Sequence, residues 1–207
     1  MIMPTEITAL MSSMTGLLRA KDKDLALTPE MIDSIEAFKI PAPAVLPMLP
    51  LLKGTEAASS AATSDVTARL IDAAPFLPWR QTYDADDGFD QRFLDAYGWT
   101  DLAGPEGPYK ARGFRLMLGY WGKGLIYPDH SHPPEEHYMV LAGSAWFRLD
   151  DDPFEKRGPG QVFHVPAGAV HSAEMRDEGL LAISIWRARD VSVRINLTDT
   201  DRNVDME

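Results

Sequence analysis

The run Gly124-Leu-Ile-Tyr127-Pro-Asp-His130-Ser-His132-Pro-Pro-Glu135-Glu136-His137-Tyr138-Met-Val-Leu-Ala-Gly143, followed by Gly160-Gln-Val-Phe-His164-Val-Pro166-Ala-Gly168-Ala-Val-His171, contains all five histidines of a 207-residue chain. A strand turns alternate side chains to the same face, so His130 and His132 point together into one space. Pro133 and Pro134 break that strand and favour a turn. Beyond them, Glu136, Tyr138 and Val140 share one face, and Glu135, His137 and Met139 the other. Glu136 is therefore the third candidate ligand, with Glu135 its rival, and Tyr138 stands beside it. The Gly143 to Asp150 segment reads as the return strand of a hairpin, and Gly158-Pro-Gly160 and Pro166-Ala-Gly168 as further turns. His171 follows the last of these. His137 is expected outside the site, and His164, within a short strand, is expected to be structural.

Imidazole and carboxylate together suit a divalent transition metal such as zinc, iron(II), manganese, nickel or cobalt, with a coordination position left for a small-molecule substrate. The chain has no cysteine, which excludes disulfides and thiolate ligation. Its formal charge of −11 argues against a nucleic-acid-binding surface. The first residues lack the basic segment and long apolar run of a secretory signal, and no stretch approaches a membrane span. The expectation is a cytoplasmic enzyme with no membrane partner.

Outward from the histidines, Leu180 to Arg187 alternates as a strand, with Ala182, Ser184 and Trp186 on one face and Leu181, Ile183 and Ile185 on the other. Phe114 to Tyr120 reads as the first firm strand. Phe89, Phe93 and Tyr97, four apart, suggest one face of a short helix, and Gly104-Pro-Glu-Gly107-Pro a loop. Nearer the start, Ile7, Leu10, Met11, Met14, Leu17 and Leu18 recur at helical spacing. Thr28-Pro29-Glu30 opens a second helix with a stripe of Met31, Ile32, Ile35 and Phe38. Val66, Leu70, Ile71 and Ala74 mark a third helix stopped by Pro75. The Pro-rich stretch 41–50 is apolar and expected to lie against the rest of the protein. The sequence leaves open whether it covers the strand-rich half, joins a homodimer interface or opens as a lid.

Gly124-x5-His130-x-His132-x3-Glu136-x6-Gly143 is similar to the first cupin motif at every position, and Gly160-x5-Pro166-x-Gly168-x2-His171 is similar to the second, with Met175 where that motif ends in Asn. The resemblance implies a mainly β fold, a single cupin double-stranded β-helix barrel, placed over residues 76–198; the helical spacing before it is expected to form an α-helical N-terminal region over 1–75 packed on the barrel, and the composition after it an acidic tail at 199–207. The resemblance also implies a metal held by His130, His132, Glu136 and His171.

The run from Tyr127 to Gly143, the helical N-terminal half and the single barrel together resemble the bacterial cupin-type dimethylsulfoniopropionate (DMSP) lyases, most closely over residues 76–190. That resemblance implies a carbon–sulfur lyase releasing dimethyl sulfide and acrylate by β-elimination. Tyr127 and Tyr138 match the family's tyrosines. Tyr138 is expected to be the base, because a nearby cation lowers a phenol pKa from about 10. Tyr127 is expected to orient the carboxylate or serve as the alternative base. Trp121, Trp146, Phe147 and Trp186 could form an aromatic wall for a sulfonium, Trp186 being the one assigned to substrate binding. The same ligands would serve a dioxygenase or an isomerase acting on another small carboxylate, and a small-molecule-binding cupin would need no turnover.

Overall fold

The computed structural model describes residues 2–187 and the two-residue strand at 196–197; the acidic tail at 199–207 lies outside the described residues. The helices are α1 (Thr5–Ala20), α2 (Pro29–Asp33), α3 (Ser64–Ala73) and α4 (Gln91–Asp95). The strands are β1 (Glu36–Ala37), β2 (Tyr97–Ala103), β3 (Tyr109–Lys110), β4 (Arg115–Trp121), β5 (Ile126–Ser131), β6 (Glu135–Gly143), β7 (Ala145–Leu149), β8 (Glu155–Arg157), β9 (Val162–Val165), β10 (His171–Glu174), β11 (Leu180–Arg187) and β12 (Asn196–Leu197). They form a seven-stranded sheet in the order β1-β3-β2-β4-β11-β6-β9 and a five-stranded sheet in the order β12-β5-β10-β7-β8.

Strand alternation divides the interior in two. Met139 and Leu141 of β6, Leu116 and Leu118 of β4, and Leu181, Ile183 and Ile185 of β11 share an apolar cluster with Ile7, Leu10, Met14, Leu18 and Leu70 of α1 and α3. Tyr138 and Val140 of β6 and Leu180 and Ala182 of β11 face the other way, joining Phe147, Phe163, Val165 and Ala173 between the sheets. Helices α1 and α3 therefore cover the outer face of the larger sheet, and its inner face closes the barrel.

Thr63 ties the two layers together. It is fully buried; its hydroxyl donates to the Leu141 carbonyl at 2.7 Å and accepts from the Ser60 amide at 3.0 Å. Thr63→Val keeps the shape and leaves the carbonyl without this donor. It is expected to cost about 1–3 kcal/mol in denaturant unfolding with the m-value unchanged.

The six predicted apolar residues of the first helix are all buried in α1. Thr28 caps α2 through its side chain, but the helix stops at Asp33, and Phe38, expected in its stripe, is 44% exposed. The chain leaves the helix because Glu36–Ala37 pairs with Tyr109–Lys110 at the sheet edge. Tyr97 opens strand β2, a seven-residue strand before the expected first one, so Phe93 is the only one of the three four-spaced rings within α4. The rings still pack, Phe89 on Phe93 at 4.4 Å and Phe93 on Tyr97 at 5.0 Å.

The expected hairpin after Gly143 does not form. Strand β6 pairs with β11 and β9, whereas β7 pairs with β10 and β8 in the other sheet. Gly143, at φ +72°, makes this corner, where a Cβ would lie 1.8 Å from the Gly179 carbonyl oxygen. The Pro-rich stretch lies on β2: Met48 is buried, and a Cβ at Gly98 would meet Leu46 at 2.7 Å, although Val45 is 76% exposed.

Candidate active site

His130 on β5 and His171 on β10 are direct cross-strand partners, which brings their rings to 4.0 Å. His132 follows the end of β5 and crosses towards β6 of the opposite sheet, where its Nε2 lies 2.8 Å from Glu136 Oε2. The His171 Nε2 stands 3.4 Å from the same oxygen. The Ser184 hydroxyl, from β11, donates to Glu136 Oε1. All four predicted ligands are buried, and one nitrogen from each of His130, His132 and His171 falls within 4.8 Å of the others.

The outer nitrogen of each ring is fixed by the backbone. Nδ1 of His130 donates to the Pro128 carbonyl at 2.7 Å, Nδ1 of His132 to Pro134 at 2.8 Å and Nδ1 of His171 to Ala169 at 3.2 Å. Assigned from these acceptors, the neutral tautomers leave every Nε2 lone pair facing inward. The Nε2 atoms of His130 and His171 are buried without a hydrogen-bond partner among the described residues. The His132 Nε2 lone pair would repel the Glu136 oxygen unless a proton or a cation lies between them. Three anchored imidazoles converging on a buried carboxylate therefore fit a divalent metal ion, the carbonyls acting as the outer partners that orient such ligands.

The electrostatics agree with this geometry. Burial raises the Glu136 pKa, but the His132 and His171 imidazoles outweigh it and hold the carboxyl well below its ordinary range. Burial, reinforced by His171, keeps His130 neutral well below its usual value. For His132 burial acts downward, and the Glu136 hydrogen bond and charge more than reverse it.

Tyr127 and Tyr138 reach the same space. With Trp121, Phe147, His130, His171 and Ser172 they line a cavity of ≈ 10 Å³, room for about one water-sized group. The Tyr127 ring lies 4.4 Å from His130 and the Tyr138 ring 6.2 Å from His171. Burial and the neighbouring tyrosines push the Tyr127 phenol well above its ordinary pKa, and burial and the charge of Glu136 do the same to Tyr138.

Of the four aromatic residues considered for a wall, Trp121 and Phe147 line the cavity. Trp146 lies under the Arg176 guanidinium at 4.4 Å. Trp186, expected to bind substrate, is placed behind His132, with ring centroids 4.5 Å apart. It is held there by Arg115, 5.6 Å from its ring, whose guanidinium forms two hydrogen bonds to the buried Asp101 at 2.6 and 3.2 Å. Tyr97, which strand and helix periodicity does not mark as a site residue, also reaches the site: its hydroxyl is 3.5 Å from that of Tyr127, and burial pushes its pKa up to about 12. The signal in the sequence is the concentration of aromatic residues Trp79, Tyr83, Phe89, Phe93, Tyr97 and Trp99 ahead of the histidine-bearing strands.

On the opposite face of β6, Glu135 and His137 meet His164 of β9. His164 Nε2 lies 2.8 Å from Glu135 Oε1, and the two imidazoles stack at 4.5 Å. This group is separated from the barrel interior by the sheet itself.

Two mainly antiparallel sheets closing around three histidines and a carboxylate define a cupin barrel, here with a helical N-terminal extension. Among solved structures the chain is similar, over 93% of its length and 97% of the other chain, to one from the crystal structures of the DMSP lyases RdDddP and RnDddQII, with 28% identity and a TM-score of 0.84. It is similar over 92% of its length and 96% of the other to the DMSP lyase DddQ from Ruegeria pomeroyi DSS-3, with 26% identity and a TM-score of 0.81. By sequence it is 31% identical over 172 residues to dimethylsulfoniopropionate lyase DddQ of Ruegeria pomeroyi, covering 82% of this chain and 84% of that protein. The family model for dimethylsulfoniopropionate lyase matches residues 25–182. The chain belongs to the dimethylsulfoniopropionate lyase family.

Proposed function

We propose that this protein is a metal-dependent carbon–sulfur lyase that cleaves DMSP to dimethyl sulfide and acrylate, with His130, His132, Glu136 and His171 as the metal ligands. The observation that carries this reading, beside the family, is that three backbone-anchored imidazoles gather around the buried Glu136, and that two of them, His130 and His171, share a cavity with Tyr127 and Tyr138. Zinc, iron(II), manganese, nickel and cobalt all suit the donor set. When bound, such an ion supplies positive charge that polarises the substrate carboxylate and offsets the effect of Glu136 on the Tyr138 phenol.

Tyr138 Oη, as tyrosinate, takes the α-proton of the substrate. The electrons of that C–H bond become the Cα=Cβ double bond as the Cβ–S bond breaks, and its electron pair leaves with sulfur as neutral dimethyl sulfide. Acrylate remains. Tyr127, steadied by Tyr97 and His130, orients the carboxylate. Trp121 and Phe147, which line the cavity, present aromatic faces to the sulfonium. Tyr127 is the alternative base. No helix among the described residues is long and apolar enough to cross a membrane.

Headspace detection of dimethyl sulfide from the metal-analysed protein incubated with DMSP tests the reading. Robust release is expected, dependent on added metal and absent in His132→Ala. No release after reconstitution with each of the five metals would reject DMSP as substrate.

A further inference from the structure

We propose a second metal site on the outer face of the larger sheet, formed by Glu135, His137 and His164, which takes a borderline divalent transition ion such as zinc and clamps the edge strand β9 to β6. His137 and His164 are direct cross-strand partners, and Glu135, two residues before His137, points to the same face. One ligand atom from each lies within 4.8 Å of the other two. Imidazole, imidazole and carboxylate are the donor classes that hold zinc. A second observation points to a ligand: His137 is 5% exposed, and its Nδ1 is buried with no hydrogen-bond partner among the described residues.

The site is open where the barrel site is closed. His164 is exposed, which gives an ion a direct path and leaves coordination positions for water. One cation opposes it: Arg187 Nη2 stands 3.7 Å from Glu135 Oε2, while Nη1 donates to the Ala26 carbonyl at 2.6 Å. The outer site is therefore the weaker of the two. Its place in the fold gives it a use. Strand β9 ends the seven-stranded sheet and leads through the Pro166–Gly168 turn to His171, so an ion across β6 and β9 secures the edge from which the chain crosses to the second sheet.

Zinc titration of the metal-free full chain against a chromophoric chelator tests this. Wild type is expected to take up two equivalents of unequal affinity. His164→Ala, a change at an exposed position, should weaken the second equivalent more than roughly tenfold and leave the first in place. His132→Ala should keep the weaker equivalent, and zinc should still raise its Tm; adding His164→Ala should remove that rise. A single equivalent in wild type attributable to the barrel, a second equivalent untouched by His164→Ala, or one that disappears with His132→Ala would overturn the outer site. Zinc bound at the outer site alone would support this inference and count against the proposed metal-dependent lyase, so the two fail separately.

Discussion

Replacing Tyr138 by phenylalanine is expected to lower the rate of dimethyl sulfide release by about 10²–10⁴-fold, the range for loss of a positioned general base. Metal content should stay near that of wild type. The phenol reaches the cavity from β6, two residues beyond Glu136 and on the same face, with its hydroxyl the only group that the substitution removes. The ring's contacts with Trp121 and Phe147 at 6.3 and 5.6 Å survive, so folding and aromatic packing should be preserved. Tyr127→Phe should cost less, because that residue orients the carboxylate in the proposed scheme. Retained activity in Tyr138→Phe together with its loss in Tyr127→Phe would transfer the base to Tyr127.

His171→Ala is expected to abolish turnover and release the barrel metal. His171 is the one proposed ligand that β10 contributes, its Nδ1 is anchored on Ala169, and its removal leaves Glu136 with one imidazole neighbour in place of two. The fall in metal affinity should exceed the roughly 10–100-fold typical of losing an outer partner. Because the outer site would add to total metal, the comparison is made in a His164→Ala background by elemental analysis after dialysis. Full retention of tightly bound metal there would remove His171 from the ligand set.

The placement of these side chains was largely legible in the sequence because strand periodicity is local. Alternation along β6 separated Glu136 and Tyr138 from Glu135 and His137, and alternation along β11 separated Ser184 from Ile183 and Ile185, as the two apolar clusters show. What escaped was set by partners far away in the chain. Strand β7 looks like a return strand for β6, but it pairs instead with β8 and with β10, the latter some 25 residues on. Strand β2, Tyr-Gly-Trp-Thr-Asp-Leu-Ala, carries glycine and aspartate that argue against a strand; Asp101 is accommodated by Arg115 and Gly98 by Leu46 above it. Trp186 shares the Glu136 face as alternation requires, yet periodicity does not reveal that its ring packs on His132 and is not among the residues lining the cavity. The meeting of His137 with His164 likewise depends on the register of β6 against β9, which neither segment specifies alone.

That division of β6 between two faces also governs how the protein tolerates error. A deletion or slip of one residue within Glu135–Gly143 would turn Glu136 and Tyr138 out of the barrel, and in the same movement drive Glu135 and His137 inward and pull Met139 and Leu141 from beneath the helices. In the proposed scheme, catalytic competence and conformational soundness therefore stand or fall together along this strand. A misregistered chain would be marked for proteolysis by its own exposed apolar surface, rather than persisting as a well-folded but inert enzyme.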